Sequence, residues 1–249
     1  MPHSKTRRYE RQICLPEIGK QGQKKLGNTN VLVVGAGGLG SVSCLYLAAA
    51  GFGNITIVDQ DCVEISNLNR QILHNETSIG QPKVSSAAAR MKALNSSIKV
   101  TTVHDKLTAD NINTMLQNID IILDGCDNYE TRTIINRASI KHNLPWIFGG
   151  VQAFEGMIST FVPGVTACFE CIVPKPKKTK LEPGIIGPTA GIISSMQTME
   201  AIKLILNIGT PLKNKLFKIS GLTMRVQTLN LEPNPDCPAC NIYQTMGKI

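Results

Sequence analysis

From residue 30 the chain alternates two hydrophobic rhythms. Short β-branched runs, NVLVV (30–34), NITIVD (54–59), IKVTTV (98–103) and IDIILD (119–124), are separated by SVSCLYLAAAG (41–51), QPKVSSAAARMKALN (81–95) and YETRTIINRASIKHN (129–143), with PWIFGG (145–150) closing the series. The longer stretches space their apolar positions as helices do. Such alternation predicts βαβ units around a mostly parallel sheet with helices on both faces. The implied fold class is a doubly wound, Rossmann-like α/β fold.

After Gly150 the rhythm changes. VQAFEGMISTFV (151–162) and KLFKISGLTMRVQTLNL (215–231) alternate in the manner of antiparallel strands that extend the sheet. Between them, GIISSMQTMEAIKLILN (191–207) repeats apolar residues at helical spacing, and its Met and Ile stripe suits core or a dimer interface. There is no internal repeat. A chain of 249 residues is accordingly read as one domain over 1–249, with an N-terminal helical arm (1–29), a nucleotide-binding half (30–150) and a segment carrying the antiparallel strands (151–249).

Composition changes this picture little. Apolar residues make up 42% and charged residues 18%, as in ordinary globular proteins. No apolar run is long enough for a membrane span, and the basic N-terminus lacks the apolar core of a secretory signal, so a cytoplasmic protein is expected. The net charge of +8 suits an anionic partner without choosing one. Its densest cluster, Lys175, Lys177, Lys178 and Lys180, reads as a solvated loop or a docking segment. Cys14, Cys44, Cys62 and Cys126 lie singly in or beside apolar runs, as buried thiols do. His3, His74, His104 and His142 stand alone and suit surface or satisfied polar roles, and Trp146 and Phe148 suit sheet core.

The candidate chemistry begins at GAGGLG. Gly35, Gly37, Gly38 and Gly40 lie between strand and helix, where backbone N–H groups and a helix N-terminus can face phosphates, and Asp59 closes the second strand where a ribose-binding carboxylate belongs. To this point a nicotinamide dinucleotide fits. The following DQDCVEISNLNRQ supplies Asp61, Asn67, Arg70 and Gln71, and GQPK supplies Lys83 at a helix start. Two cations at one crevice suit a triphosphate better than a dinucleotide pyrophosphate. Asp124 and Asp127 follow at the carboxyl end of the fourth strand; Asp124 suits a strand-ending cap and Asp127 a Mg²⁺ ligand. Two C-x-x-C pairs, Cys168/Cys171 and Cys237/Cys240, have the spacing of a closed structural Zn²⁺ site, with redox-active dithiols as the alternative.

RYERQI (8–13), GAGGLG, Asp59 through SNLNRQ, GQPK and the pair Asp127-Asn128 resemble, in order and spacing, the ThiF/MoeB/HesA family, relatives of ubiquitin-activating enzymes. The similarity runs from about Arg8 to Cys240. It implies that ATP lies on the glycines, with Asp59 at the ribose, Ser66, Asn67, Leu68, Asn69, Arg70, Gln71 and Lys83 around the nucleotide and its phosphates, and Asp127 and Asn128 organising Mg²⁺. It implies a homodimer in which Arg11 crosses the interface into the partner's site, and a zinc site away from ATP. The implied reaction is adenylation of the Gly-Gly carboxylate of a small ubiquitin-like sulfur-carrier protein, as in molybdopterin, thiamine or other sulfur-transfer routes. One departure stands out. Sulfur-transferring and thioester-forming relatives carry a cysteine in the crossover segment, whereas KPKKTKLEPGIIGP (175–188) has none, so the expected enzyme stops at the adenylate and passes it to sulfide, a persulfide carrier or another nucleophile. Competing readings are a tRNA threonylcarbamoyladenosine dehydratase, adenylation of a peptide or small carboxylic acid, an ATP-binding scaffold and an NAD oxidoreductase.

Overall fold

The computed structural model describes residues 5–173 and 184–241. Three helices, α1 (Lys5–Arg8), α2 (Glu10–Ile13) and α3 (Gly19–Asn28), form the arm, and β1 (Asn30–Val34), α4 (Gly38–Ala50), β2 (Asn54–Val58), α5 (Lys83–Leu94) and β3 (Lys99–Val103) follow. Then come α6 (Ile112–Met115), β4 (Ile121–Asp124), α7 (Tyr129–His142), β5 (Trp146–Gln152), β6 (Glu155–Phe161), α8 (Phe169–Ile172), α9 (Gly187–Leu206), β7 (Lys215–Ser220) and β8 (Arg225–Asn230). Every expected strand and long helix forms.

One eight-stranded sheet has the order β3-β2-β1-β4-β5-β6-β7-β8. The first five strands pair in parallel, and β5 to β8 pair antiparallel. The period of two along each strand sorts the core. Val31, Val33, Ile55, Ile57, Ile121 and Leu123 pack against α4, α5 and α9, whereas Leu32, Val34, Val58 and Ile122 face α6, α7 and α8. Fully burying each such side chain stabilises by roughly 1.5–3 kcal/mol. Trp146 and Phe148 do lie in this core, in tilted and edge-on contact with each other and with Phe161 and Phe169. No helix among the described residues is long and apolar enough to cross a membrane.

The strand order places the site. β1 lies between β2 and β4, so its neighbouring connections diverge, and a crevice opens beyond the carboxyl ends of β1 and β4.

Candidate nucleotide site

Glycine does two different jobs in the turn after β1. Gly35 has φ +96°, and a Cβ there would come within 2.6 Å of Gly125 O; a Cβ on Gly40 would lie 1.9 Å from Gly35 O. These two glycines let the turn, β4's end and α4 pack without collision. At Gly37 and Gly38 nothing comes that near: the closest atoms would be Gln71 Nε2 at 3.8 Å and Ala190 Cβ at 3.5 Å. Among the described residues no side chain caps α4, which starts here, so its first N–H groups are left for another acceptor. Such a cradle fits a nucleotide phosphate or ribose.

The acidic and basic groups gather at the same edge. Asp59 accepts from Ala36 N at 2.7 Å and from Asp61 N at 2.8 Å, which fixes its carboxylate beside the turn. Lys83 opens α5, and its buried Nζ donates to Asp61 Oδ2 at 2.8 Å; the lysine side chain is 8% exposed and the aspartate 54%. Arg70 donates to Ser66 O and Asn69 Oδ1, at 2.9 and 3.2 Å, and its aliphatic stem borders Gly38. Asn67 is buried and accepts from Glu64 N, closing a capping box that shapes the Ser66–Arg70 segment, in which Leu68 is half-buried. Gln71 is buried beside Gly37, with its Oε1 unpaired among the described residues. Such an orphan acceptor fits a site awaiting a ligand.

At the end of β4 the two aspartates part company. Asp124 is buried and accepts from Cys126 N and Arg132 Nε at 2.8 and 2.9 Å, a structural role as expected. Asp127 is exposed at the crevice rim. Asn128 caps α7 by accepting from Thr131 N, and its Nδ2 donates to Asp127 Oδ1 at 3.1 Å. The amide thereby positions the carboxylate, whose oxygens suit Mg²⁺.

Two further residues support the site: Arg132, which the sequence did not single out, and His74, which takes the satisfied polar role expected of it. Arg132 reaches Asp124 and the carbonyls of Cys126 and Gly149, and its guanidinium lies 5.1 Å from the Phe148 ring centre. Burial disfavours its charge, but Asp124, by charge and hydrogen bond, together with Cys126 and Asp127, outweighs that and raises its pKa. His74 is buried between Ala36 O (3.0 Å) and Ser86 Oγ (2.9 Å). Its burial, with Lys83 nearby, lowers its pKa. No motif announced Arg132.

Arg11 is not brought to this crevice. It is exposed on α2, whose neighbours Tyr9 and Gln12 pack on Gly51 and Ala50 O at the far end of α4. Thirteen residues of helix put that end about 20 Å from Gly38. The lysine cluster 175–180 lies outside the described residues.

A model of the ThiF family matches residues 9–239. The chain belongs to the ThiF family. It is similar to the adenylyltransferase and sulfurtransferase MOCS3 of Culex quinquefasciatus, with 40% identity over 248 residues; the match covers 97% of this chain and 57% of that protein. The sulfur carrier protein adenylyltransferase of Thermus thermophilus is 36% identical over 252 residues, which cover 97% of this chain and 93% of that one. Among solved structures, E. coli MccB with SeMet MccA superposes at a TM-score of 0.86 with 25% identity, covering 96% of this chain and 75% of that chain.

Within this ThiF-family chain the four paired cysteines converge. Their sulfurs all lie within 4.8 Å of one another, with Cys168 3.7 Å from Cys171 and 3.5 Å from Cys237, and Cys171 3.4 Å from Cys240. A tetrahedron with metal–sulfur bonds of about 2.3 Å has edges of about 3.8 Å, so the donor set fits Zn²⁺. Asn136 donates to Cys168 Sγ and to Glu170, which Arg137 grips with two nitrogens. The unpaired cysteines correct the expectation of burial. Cys44 and Cys126 are buried, but Cys14 and Cys62 are exposed: α2 buries no residue, and Cys62 sits in the rim loop beside Asp61. Burial pushes the Cys44 thiol up to about 12, and burial with Asp124 drives Cys126 well above its usual value, so both are poor nucleophiles.

Proposed function

We propose that the chain is an ATP-dependent adenylyltransferase acting on the C-terminal Gly-Gly carboxylate of a small ubiquitin-like sulfur-carrier protein. The carrying observation is the convergence of the open Gly37-Gly38 helix start, Asp59, Lys83, Arg70 and Asp127 on one crevice. The named activities of the Culex and Thermus relatives support the choice of reaction and substrate. The carrier's carboxylate is already ionised at neutral pH and needs no base; its oxygen attacks the α-phosphorus of ATP, and the α–β bridging bond breaks to release pyrophosphate. Two anions must meet, so the site's work is positioning and charge stabilisation. Asp59, held beside the turn by Ala36 N and Asp61 N, would take the ribose hydroxyls. Lys83 and Arg70 neutralise phosphate charge, Lys83 by exchanging Asp61 for phosphate oxygens. Asp127, steadied by Asn128, would hold Mg²⁺, which shields the phosphates.

The test is ATP–pyrophosphate exchange with Mg²⁺ and individual Gly-Gly carriers. Exchange that requires a carrier supports the reading; absence of exchange with every carrier, but appearance with a small carboxylic acid or tRNA substrate, overturns it.

The position of Arg11 favours a homodimer in which each arm completes the other site, because the arm lies about 20 Å from its own crevice. Exposed Tyr46 and Met199 on the adjoining helices α4 and α9 are available for such an interface. Arg11→Ala and Asp127→Ala, each inactive alone, regain activity when mixed and exchanged, since one composite site in each heterodimer is whole. No recovery despite proven subunit exchange would refute donation across the interface. The cysteine tetrad would hold a structural Zn²⁺, pinning the 237–240 segment to α7 and α8.

A further inference from the structure

The backbone of Ala36 is held from both sides, through the two peptide groups that flank its Cα. Its N–H donates to Asp59 Oδ2 at 2.7 Å, and its carbonyl accepts from His74 Nε2 at 3.0 Å. A carbonyl only accepts, so Nε2 carries the proton and Nδ1 accepts from Ser86 Oγ at 2.9 Å. Ser86 stands one turn beyond Lys83 on α5. His74 thus ties three pieces together: the glycine turn, the end of the Ser66–Gln71 loop, and the helix that carries the buried ammonium. All three meet at a residue 6% exposed, where a lost hydrogen bond cannot be replaced by bulk water.

We propose that His74 is a positioning residue for the nucleotide, fixing the Ala36 carbonyl so that the turn's open Gly37-Gly38 start and Lys83 keep the mutual placement that ATP requires. This deepens the adenylation reading and rests on it. The imidazole touches neither ATP nor carrier; it acts through the turn and through α5. Its contribution is made equally before and during reaction, so its loss weakens ATP binding more than turnover.

The experiment compares wild type, His74→Leu and His74→Gln by ATP affinity from calorimetry, by KM and kcat of pyrophosphate exchange, and by amide hydrogen exchange at Ala36 in the ligand-free protein. In His74→Leu, Ala36 exchange speeds up at least tenfold and ATP affinity falls about tenfold, as for a buried carbonyl left with only its longer contact from Ser41 Oγ at 3.5 Å, while kcat stays within about threefold. His74→Gln, whose amide donates to Ala36 O and accepts from Ser86, recovers most of both. If His74→Leu does not fold, Ser86→Ala, which removes the Nδ1 partner, must move Ala36 exchange and ATP affinity in the same direction. A folded His74→Leu with unchanged Ala36 exchange and ATP affinity overturns the proposal, as does a kcat loss with KM intact. Wild-type protein that binds no ATP, while Ala36 still loosens in His74→Leu, overturns the adenylation reading and supports the clamp.

Discussion

The ion pair between Lys83 and Asp61 is asymmetric, and that asymmetry makes a sharp prediction. Lys83 is 8% exposed and Asp61 54%, at a separation of 2.8 Å. With an effective dielectric near 20 the gross attraction is about 6 kcal/mol, most of it offset by taking the ammonium out of water. Removing the carboxylate strands a buried cation; removing the cation leaves a carboxylate that water already reaches. Breaking a fully buried pair costs roughly 3–5 kcal/mol, and the exposure of Asp61 lowers this for Asp61→Asn to about 2–3 kcal/mol. Lys83→Met keeps most of the stem's packing, so its cost stays within about 1 kcal/mol. Function runs the other way, because Lys83→Met removes a preorganised cation and loses at least about a hundredfold in pyrophosphate exchange. Urea unfolding gives the stabilities, and exchange measured on the folded variants gives the rates. If Lys83→Met were the less stable variant, the carboxylate would not be there to compensate the buried charge. If Lys83→Met kept its exchange rate within tenfold, the ammonium would not belong to the site.

The two kinds of glycine separate in the same assays. Gly40→Ala, whose Cβ would fall 1.9 Å from Gly35 O, loses several kcal/mol in urea unfolding or fails to fold, whereas Gly37→Ala, with nothing nearer than 3.8 Å, folds normally and raises the KM for ATP at least tenfold. Metal analysis of the purified protein finds one zinc per chain, and Cys237→Ser or a strong chelator abolishes it and lowers the thermal midpoint, with protection of the β1–β4 half retained in hydrogen exchange. Acid sensitivity follows from His74. Burial and Lys83 hold its pKa below the ordinary 6.5, against the pull of the Ala36 bond and Asp59. The unfolded chain therefore takes up a proton that the folded chain refuses, so this stability is complete above about pH 6.5 and is lost as pH falls through the lowered folded value. Urea midpoints at pH 7.5 and 5.5 should drop less in His74→Gln than in wild type; an equal drop would place the acid sensitivity elsewhere.

Sequence legibility followed the range of the interaction. The strands, the glycine turn and the start of α5 at Lys83 rest on local periodicity and turn chemistry, and they formed where expected. Gly35 and Gly40 read the same as Gly37 and Gly38 in GAGGLG, because only the folded turn reveals which pair packs and which stays open: a Cβ on Gly35 would meet Gly125 O just beyond β4, and one on Gly40 would meet the carbonyl of Gly35. Arg132 was invisible for a related reason. Its partners Asp124, Cys126 and Gly149 converge only when β4 and β5 become neighbours, and on its own helix it reads as an ordinary surface cation. Cys62 misled in the opposite sense, since an apolar flank predicts burial only when the fold supplies a second layer, and the crevice rim supplies none. Arg11 joins both lessons. RYERQI shows a helix with a cation, but the packing of Tyr9 and Gln12 at the far end of α4 shows that this cation cannot serve its own crevice. Under the proposed adenylation, a site that brings a carboxylate to a triphosphate gains from every added positive charge, and an arm one helix length away would reach the crevice of a second copy more directly than its own.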